Sequence, residues 1–336
     1  MAPGLGEFEL IARFFAPLAA GRPGALGLRD DAALIEERPG WSLVATTDTI
    51  VAGVHFPVDA APADVACRLL GVNLSDLAAM GAEPAAYLLA LGLPQAYAEA
   101  ELEVWLEGFA GGLAAGQREH GIALVGGDTV ASPGPLTLTL TALGHVEAGQ
   151  ALLRSGARPG ERVYVSGSIG DAALGLRLLD GRLAGLGADE RAFLLDRYRR
   201  PRPRLALGRR LCRLAGAAAD VSDGLVADLG HICTASGVGA RIDAERVPLS
   251  AAAVAAIGSD PALLALALTG GDDYELVFTA GRLRDAEVAA LAGELELPLT
   301  AIGEIVSLPS GGGTPVRVER HGTAMAIASA GWQHRR

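Results

Sequence analysis

The sequence contains no lysine: all 28 basic residues among its 336 are arginines. That absence excludes a Walker A phosphate loop, the strand lysine of protein kinases and any Schiff-base chemistry. A phosphate substrate would have to be met by arginine, backbone N–H groups and metal ions. Cysteine is scarce as well. Cys67, Cys212 and Cys233 form no C-x-x-C pair and are odd in number. The expected state is therefore reduced thiols in a cytoplasmic protein, with neither a disulfide framework nor a zinc site. Aromatic residues make up 4% against a hydrophobic share of 50%, so the cores are expected to be alanine, leucine and valine. No apolar run reaches the ~18 residues of a membrane span, and Glu7 and Glu9 precede the first basic residue, unlike a signal peptide. The net charge of -11 argues against nucleic acid or an anionic membrane as partner. The G-x-S-x-G elbow and the H-E-x-x-H helix are also missing.

What is there divides by length into about two domains. The turn-rich stretch R-S-G-A-R-P-G-E at 154–161 is the expected link, giving domains 1–150 and 151–336. Residues 6–20 carry Phe8, Ile11, Phe14 and Phe15 at helical spacing and predict an amphipathic first helix. Strands are predicted over 41–50, 85–93, 122–129 and 162–166, with a helix over 99–120. L-T-L-T-L-T at 136–141 alternates strictly, as a strand with one buried face does; it fits an antiparallel sheet or one that pairs across a dimer. The R-R-P-R-P-R run at 199–204 reads as a solvated loop, and the 311–313 glycines as a surface loop.

Acidic residues recur at element ends. V-N-L-S-D-L-A-A-M-G-A-E-P at 72–84 places Asn73, Ser75 and Asp76 at the head of a small-residue helix, either as a cap or as a ligand site. Asp30-Asp31, Thr46-Thr47-Asp48, Gly126-Gly127-Asp128 and Asp220-x-Ser222-Asp223 repeat the theme. Two carboxylates ~4 Å apart repel by roughly 4 kcal/mol at an effective dielectric near 20, so convergence of several would require cations. An all-oxygen set without histidine or cysteine favours Mg²⁺, which is usually shared with substrate phosphates. Spacing alone leaves open whether these turns are caps or ligands.

Seven segments in order, L-R-D-D-A-A-L, T-T-D-T-I-V-A-G-V-H-F, V-N-L-S-D-L-A-A-M-G-A-E-P, L-V-G-G-D-T, R-S-G-A-R-P-G, D-V-S-D-G-L and G-G-D-D-Y-E-L, resemble the motif set of the thiamine-monophosphate kinase family. That family lies in the aminoimidazole ribonucleotide synthetase-like superfamily, and the likeness runs from Gly6 to Trp332. It implies an α+β, two-domain PurM-like fold with mixed and antiparallel sheets packed with helices, and a homodimer pairing through its N-terminal sheets. It implies ATP-dependent phosphorylation of thiamine monophosphate to thiamine diphosphate, by direct in-line transfer with several Mg²⁺ ions. The resemblance makes Asp31, Thr46, Thr47, Asp48, Asp76, Asp128, Asp220 and Asp223 metal ligands. It sets Gly127, Asp128, Arg154 and Ser222 against ATP, and His55, Asp272 and Trp332 at the thiamine site. Two departures stand out: Arg29 replaces the usual glycine, and Asp272 stands where glutamate is common. The alternatives are another ATP-dependent enzyme of the superfamily, such as aminoimidazole ribonucleotide synthetase, or a non-catalytic Mg-nucleotide-binding protein.

Overall fold

The computed structural model describes residues 6–308, 314–327 and 329–331; the 311–313 loop and Trp332 lie outside them. The chain divides into two units, one of residues 1–77 and 82–149, the other of 78–81 and 150–336.

In the first unit the N-terminal segment is wound in three ways: α1 (Glu7–Leu10), a π turn over Ile11–Phe15 and a 3-10 turn over Ala16–Ala19. The expected single amphipathic helix breaks because Pro17 has no N–H to continue it. Phe14 and Phe15 are buried, whereas Phe8 is 83% exposed. Then follow β1 (Trp41–Val51), α2 (Pro62–Ala79), β2 (Glu83–Pro94), α3 (Glu99–His120), β3 (Leu124–Ser132) and β4 (Thr137–Glu147). The sheet order is β1-β4-β2-β3, antiparallel except for the β2–β3 pair. Along β4, Leu138, Leu140 and Ala142 are fully buried while Thr137, Thr139 and Thr141 are half-exposed, as the alternation requires. On α3, Gly112 and Gly116 lie against Ala63, Ala66 and Leu70, so the glycines bring this helix close to α2.

The second unit runs β5 (Arg162–Ser166), α4 (Asp171–Leu179), α5 (Ala188–Arg199), α6 (Leu205–Leu211), β6 (Ala217–Asp220), α7 (Leu225–Ser236), β7 (Val238–Asp243), α8 (Ala251–Ser259) and α9 (Leu263–Thr269). It continues with β8 (Leu276–Ala280), α10 (Asp285–Glu294), β9 (Leu299–Ser307), β10 (Val316–Arg320) and β11 (Thr323–Ala324). Its sheet order is β11-β10-β7-β9-β5-β8-β6, parallel only between β10 and β7. Both faces are covered. Val163, Val165 and Val277 face one core with Leu225, Leu229 and Ile232 of α7. Tyr164 and Phe278, stacked at 5.3 Å, face the other with Leu207, Leu211 and Leu291. Alanine, leucine and valine fill these cores, as the composition predicts.

Candidate functional site

The segment with Asn73, Ser75 and Asp76 does not open a helix. It lies well inside α2, so none of the three caps it, and Asn73 and Ser75 are fully buried. A buried amide inside a helix must find partners. Asn73 donates to the Leu69 carbonyl at 2.9 Å and accepts the Asp48 N–H at 3.1 Å, tying α2 to β1. The Thr46 hydroxyl donates to Asp76 Oδ2 at 2.5 Å. The Asp48 carboxyl is pushed up to about 6, first by burial, then by the charge of Asp76 and a hydrogen bond with it. Thr46, Asp48 and Asp76 thus form one cluster. Strand alternation turns Thr47 to the other face, where its hydroxyl donates to the Leu140 carbonyl (3.1 Å) and accepts from Thr141 (3.0 Å).

A second group lies at a cavity of about 550 Å³, lined by Asp30, Asp31, Gly127 and Asp128 together with Phe15 and Leu28. Glycine at 127 answers to strand packing, since a Cβ there would overlap the Leu89 carbonyl oxygen of β2. Asp128 Oδ1 accepts the Thr129 N–H at 2.9 Å. The register aligns Asp128 with Ala90 and Thr139, but Asp48 with Leu140. The side chains of Asp48 and Asp128 therefore leave opposite faces of the sheet. The first unit holds two acidic groups instead of one.

The donors in both groups are oxygens, which suits a hard divalent cation. Asp48 and Asp76 fit one on a further ground: burial and the neighbouring Asp76 charge oppose ionisation of Asp48, and a cation beside them would remove that opposition. His55, in the tight turn after β1, accepts the Val51 N–H at Nδ1 (3.0 Å). That bond selects the neutral tautomer with its proton on Nε2.

In the second unit Asp220 ends β6 and is 3% exposed. Ser222 and Asp223 occupy the following turn, yet neither caps α7 through its side chain. Asp228, inside α7, reaches back instead, its Oδ2 accepting the N–H groups of Asp223 (3.0 Å) and Gly224 (3.1 Å). Its carboxyl is pushed up to about 7, mainly by burial and further by the Asp223 charge; the two N–H bonds and Arg154 oppose this. Ligand atoms of Asp223, Asp228 and His231 lie within 4.8 Å of one another, and could hold a cation. Sequence reasoning did not single out Asp228 or His231; their i, i+3 spacing on α7 was the available signal. Arg154 is held at its backbone carbonyl by the Ser236 hydroxyl (3.1 Å). Asp272 lies in the turn between α9 and β8, its N–H donated to the Ser222 carbonyl at 2.8 Å and its Oδ1 accepting the Tyr274 hydroxyl at 3.0 Å. Gly271 has φ +72°, and a Cβ on it would collide with the same Ser222 carbonyl. Trp332 lies outside the described residues.

Residues 29–146 match the family of AIR synthase related proteins in its N-terminal domain, and residues 158–314 match its C-terminal domain. The thiamine-monophosphate kinase of Salmonella typhimurium is 45% identical over 301 residues, 89% of this chain and 90% of that protein. The crystal structure of thiamine-monophosphate kinase from Stenotrophomonas maltophilia superimposes with a TM-score of 0.83 at 45% identity, covering 96% of this chain and 99% of that one. AaThiL complexed with AMPPCP and TMP gives a TM-score of 0.76 at 31% identity, covering 98% and 97%. With its two-domain PurM-like fold of mixed sheets and helices, the chain belongs to the thiamine-monophosphate kinase family of AIR synthase related proteins.

Proposed function

We propose that the chain transfers the γ-phosphoryl group of ATP to the phosphate of thiamine monophosphate, yielding thiamine diphosphate and ADP. Transfer is direct and in line, in a cytoplasmic homodimer, with several Mg²⁺ ions bound. The observation that carries this reading is the Thr46–Asp48–Asp76 cluster, an all-oxygen group suited to a divalent cation, in a lysine-free member of a kinase family. The AaThiL complex, with an ATP analogue and TMP bound, supports the choice of substrates. Bound Mg²⁺ would offset the mutual repulsion of the two polyanions and polarise the phosphoryl oxygens.

The side chains take the following parts. Asp48, Asp76, Asp31 and Asp128 in the first unit, and Asp220 and Asp223 in the second, hold cations, with Thr46 and Thr47 adding oxygens. Gly127 and Asp128 meet ATP at the cavity, whose volume lies within the usual ~300–1,000 Å³ of small-molecule sites. The family motifs make Ser222 and Arg154 further ATP contacts, Arg154 as a fixed positive charge for the phosphates. His55, Asp272 and Trp332 bind thiamine monophosphate, Trp332 by ring stacking. The acceptor phosphate oxygen is ionised near neutral pH, so no side chain has to remove a proton from it. The homodimer draws support from Leu43, Leu88 and Val130, exposed on one face of the first sheet. The cytoplasmic assignment draws support from Cys67, Cys212 and Cys233, none of them in a disulfide.

The direct test incubates pure protein with ATP, Mg²⁺ and thiamine monophosphate and identifies products by chromatography. An aminoimidazole-pathway substrate runs in parallel. Thiamine diphosphate with ADP is the expected result; product only in the parallel reaction would overturn the assignment. His55→Ala should raise KM for thiamine monophosphate roughly 10-fold, the loss of one hydrogen bond to a charged ligand, and leave KM for ATP within about twofold. Equal increases in both constants would remove His55 from the acceptor site.

A further inference from the structure

The 270–275 turn of the second unit holds two non-glycine residues in the left-handed region, Asp272 at φ 65° and Tyr274 at φ 51°. The left-handed region is costly for any residue with a Cβ, and the conformation persists only where its surroundings over-determine it. Here they do so in alternation. The N–H groups of Asp272 and Tyr274 donate to the carbonyls of Ser222 (2.8 Å) and Val221 (2.9 Å). The residues that follow each of them, Asp273 and Glu275, send their carboxylates into the protein, where they are 2% and 0% exposed.

Asp273 sits at the N-terminus of α4, its Oδ2 accepting the Gly170 N–H (2.7 Å) and its Oδ1 the Ala172 N–H (3.3 Å). Arg197 of α5, 4% exposed, donates through Nη2 to the Asp273 carbonyl (3.2 Å) and to Glu275 Oε1 (2.9 Å). Ser166 and Arg204 also donate to Glu275, at 2.6 and 2.7 Å. Asp171, fully buried, approaches Arg197 Nε at 3.9 Å. Burial drives the Asp273 carboxyl well above its ordinary range, against the two N–H bonds and Arg197. Buried ion clusters of this kind are frequently no more stabilising than apolar residues of the same volume. What this one does that an apolar core would not is fix the backbone on both sides of Tyr274, beginning directly after Asp272.

We propose that Arg197, acting through Asp273 and Glu275, is a positioning residue that locks the 270–275 turn so that Asp272 is presented to the acceptor substrate. The inference rests on Asp272 as a thiamine-monophosphate contact, and its test separates the two. Arg197→Lys, Asp273→Asn, Asp272→Ala and the Arg197→Lys/Asp272→Ala double variant are compared in the full-length protein. KM for thiamine monophosphate should rise about 10-fold in each of the first two, with KM for ATP within about twofold. In the double variant it should not exceed the value of Asp272→Ala alone, because both changes remove one contact. Amide exchange at Asp272 and Tyr274 should accelerate in Arg197→Lys and Asp273→Asn. If Arg197→Lys does not fold, Asp273→Asn, which retains one acceptor oxygen for the helix terminus, decides alone. Unchanged acceptor KM in these variants, parallel changes in both KM values, or additivity with Asp272→Ala would overturn the positioning role. If Asp272→Ala itself leaves acceptor KM unchanged, the contact is absent and the inference falls with it. If Asp272→Ala raises KM and the Arg197 and Asp273 variants do not, only the positioning role falls.

Discussion

Asp48→Asn should lower kcat roughly 100- to 1,000-fold and at the same time stabilise the metal-free protein. Both effects have one cause. Burial and the neighbouring Asp76 raise the Asp48 carboxyl from its ordinary 3.8 to about 6. The native state therefore binds more protons than the unfolded chain between those values, and stability falls as pH rises through that interval. Above pH 6 the whole cost is present, about 3 kcal/mol for a shift of roughly two pH units. Asparagine carries no charge to desolvate and escapes it. In excess chelator at pH 7.5 the variant should melt higher than the parent, by on the order of 5 °C; at pH 4 the difference should vanish. Mg²⁺ should raise the melting temperature of the parent more than that of the variant. Turnover at the parent's rate, or equal melting at pH 7.5, would remove Asp48 from the cation site.

Much of the fold was legible because its signals are local. The alternation in β4 and the helical period of α3 need no knowledge of the rest of the chain. The polar run at 72–84 was harder to place. Asn73, Ser75 and Asp76 look like a helix start because those residue types cap helices, yet here they serve tertiary partners from inside α2: Asn73 holds the Asp48 N–H and Asp76 takes the Thr46 hydroxyl. Which face Asp128 occupies depends on how β3 registers on β2, including a shift between Tyr87 and Leu88, and periodicity within one strand cannot show that. The R-R-P-R-P-R run reads as solvated, but Arg204 reaches Glu275, a partner 71 residues away in sequence. The acidic residue types were visible from spacing; their division into separate groups depends on strand pairing.

Removing divalent cations should abolish turnover, and the stabilisation they provide should grow with pH. Several of the 28 arginines are paired with glutamate, among them Arg197 and Arg204 with buried Glu275, and Arg241 and Arg282 with Glu304 and Arg210 with Glu294 at the surface. With no lysine and a net charge of -11, the protein's own field opposes bringing two phosphate groups together without added cations. Excess chelator should therefore cut the rate more than about 100-fold, with recovery on adding Mg²⁺. The pH dependence follows from the carboxylate pair. Below pH 6 Asp48 keeps its proton, and a cation must displace it to bind. Above pH 6 Asp48 is ionised and faces the charge of Asp76, so a cation relieves repulsion at no such cost. The increase in melting temperature produced by a fixed Mg²⁺ concentration should accordingly be small at pH 5 and several-fold larger at pH 7.5. Full turnover in chelator would contradict the shortage of positive charge, and an increase independent of pH would contradict cation binding at Asp48 and Asp76.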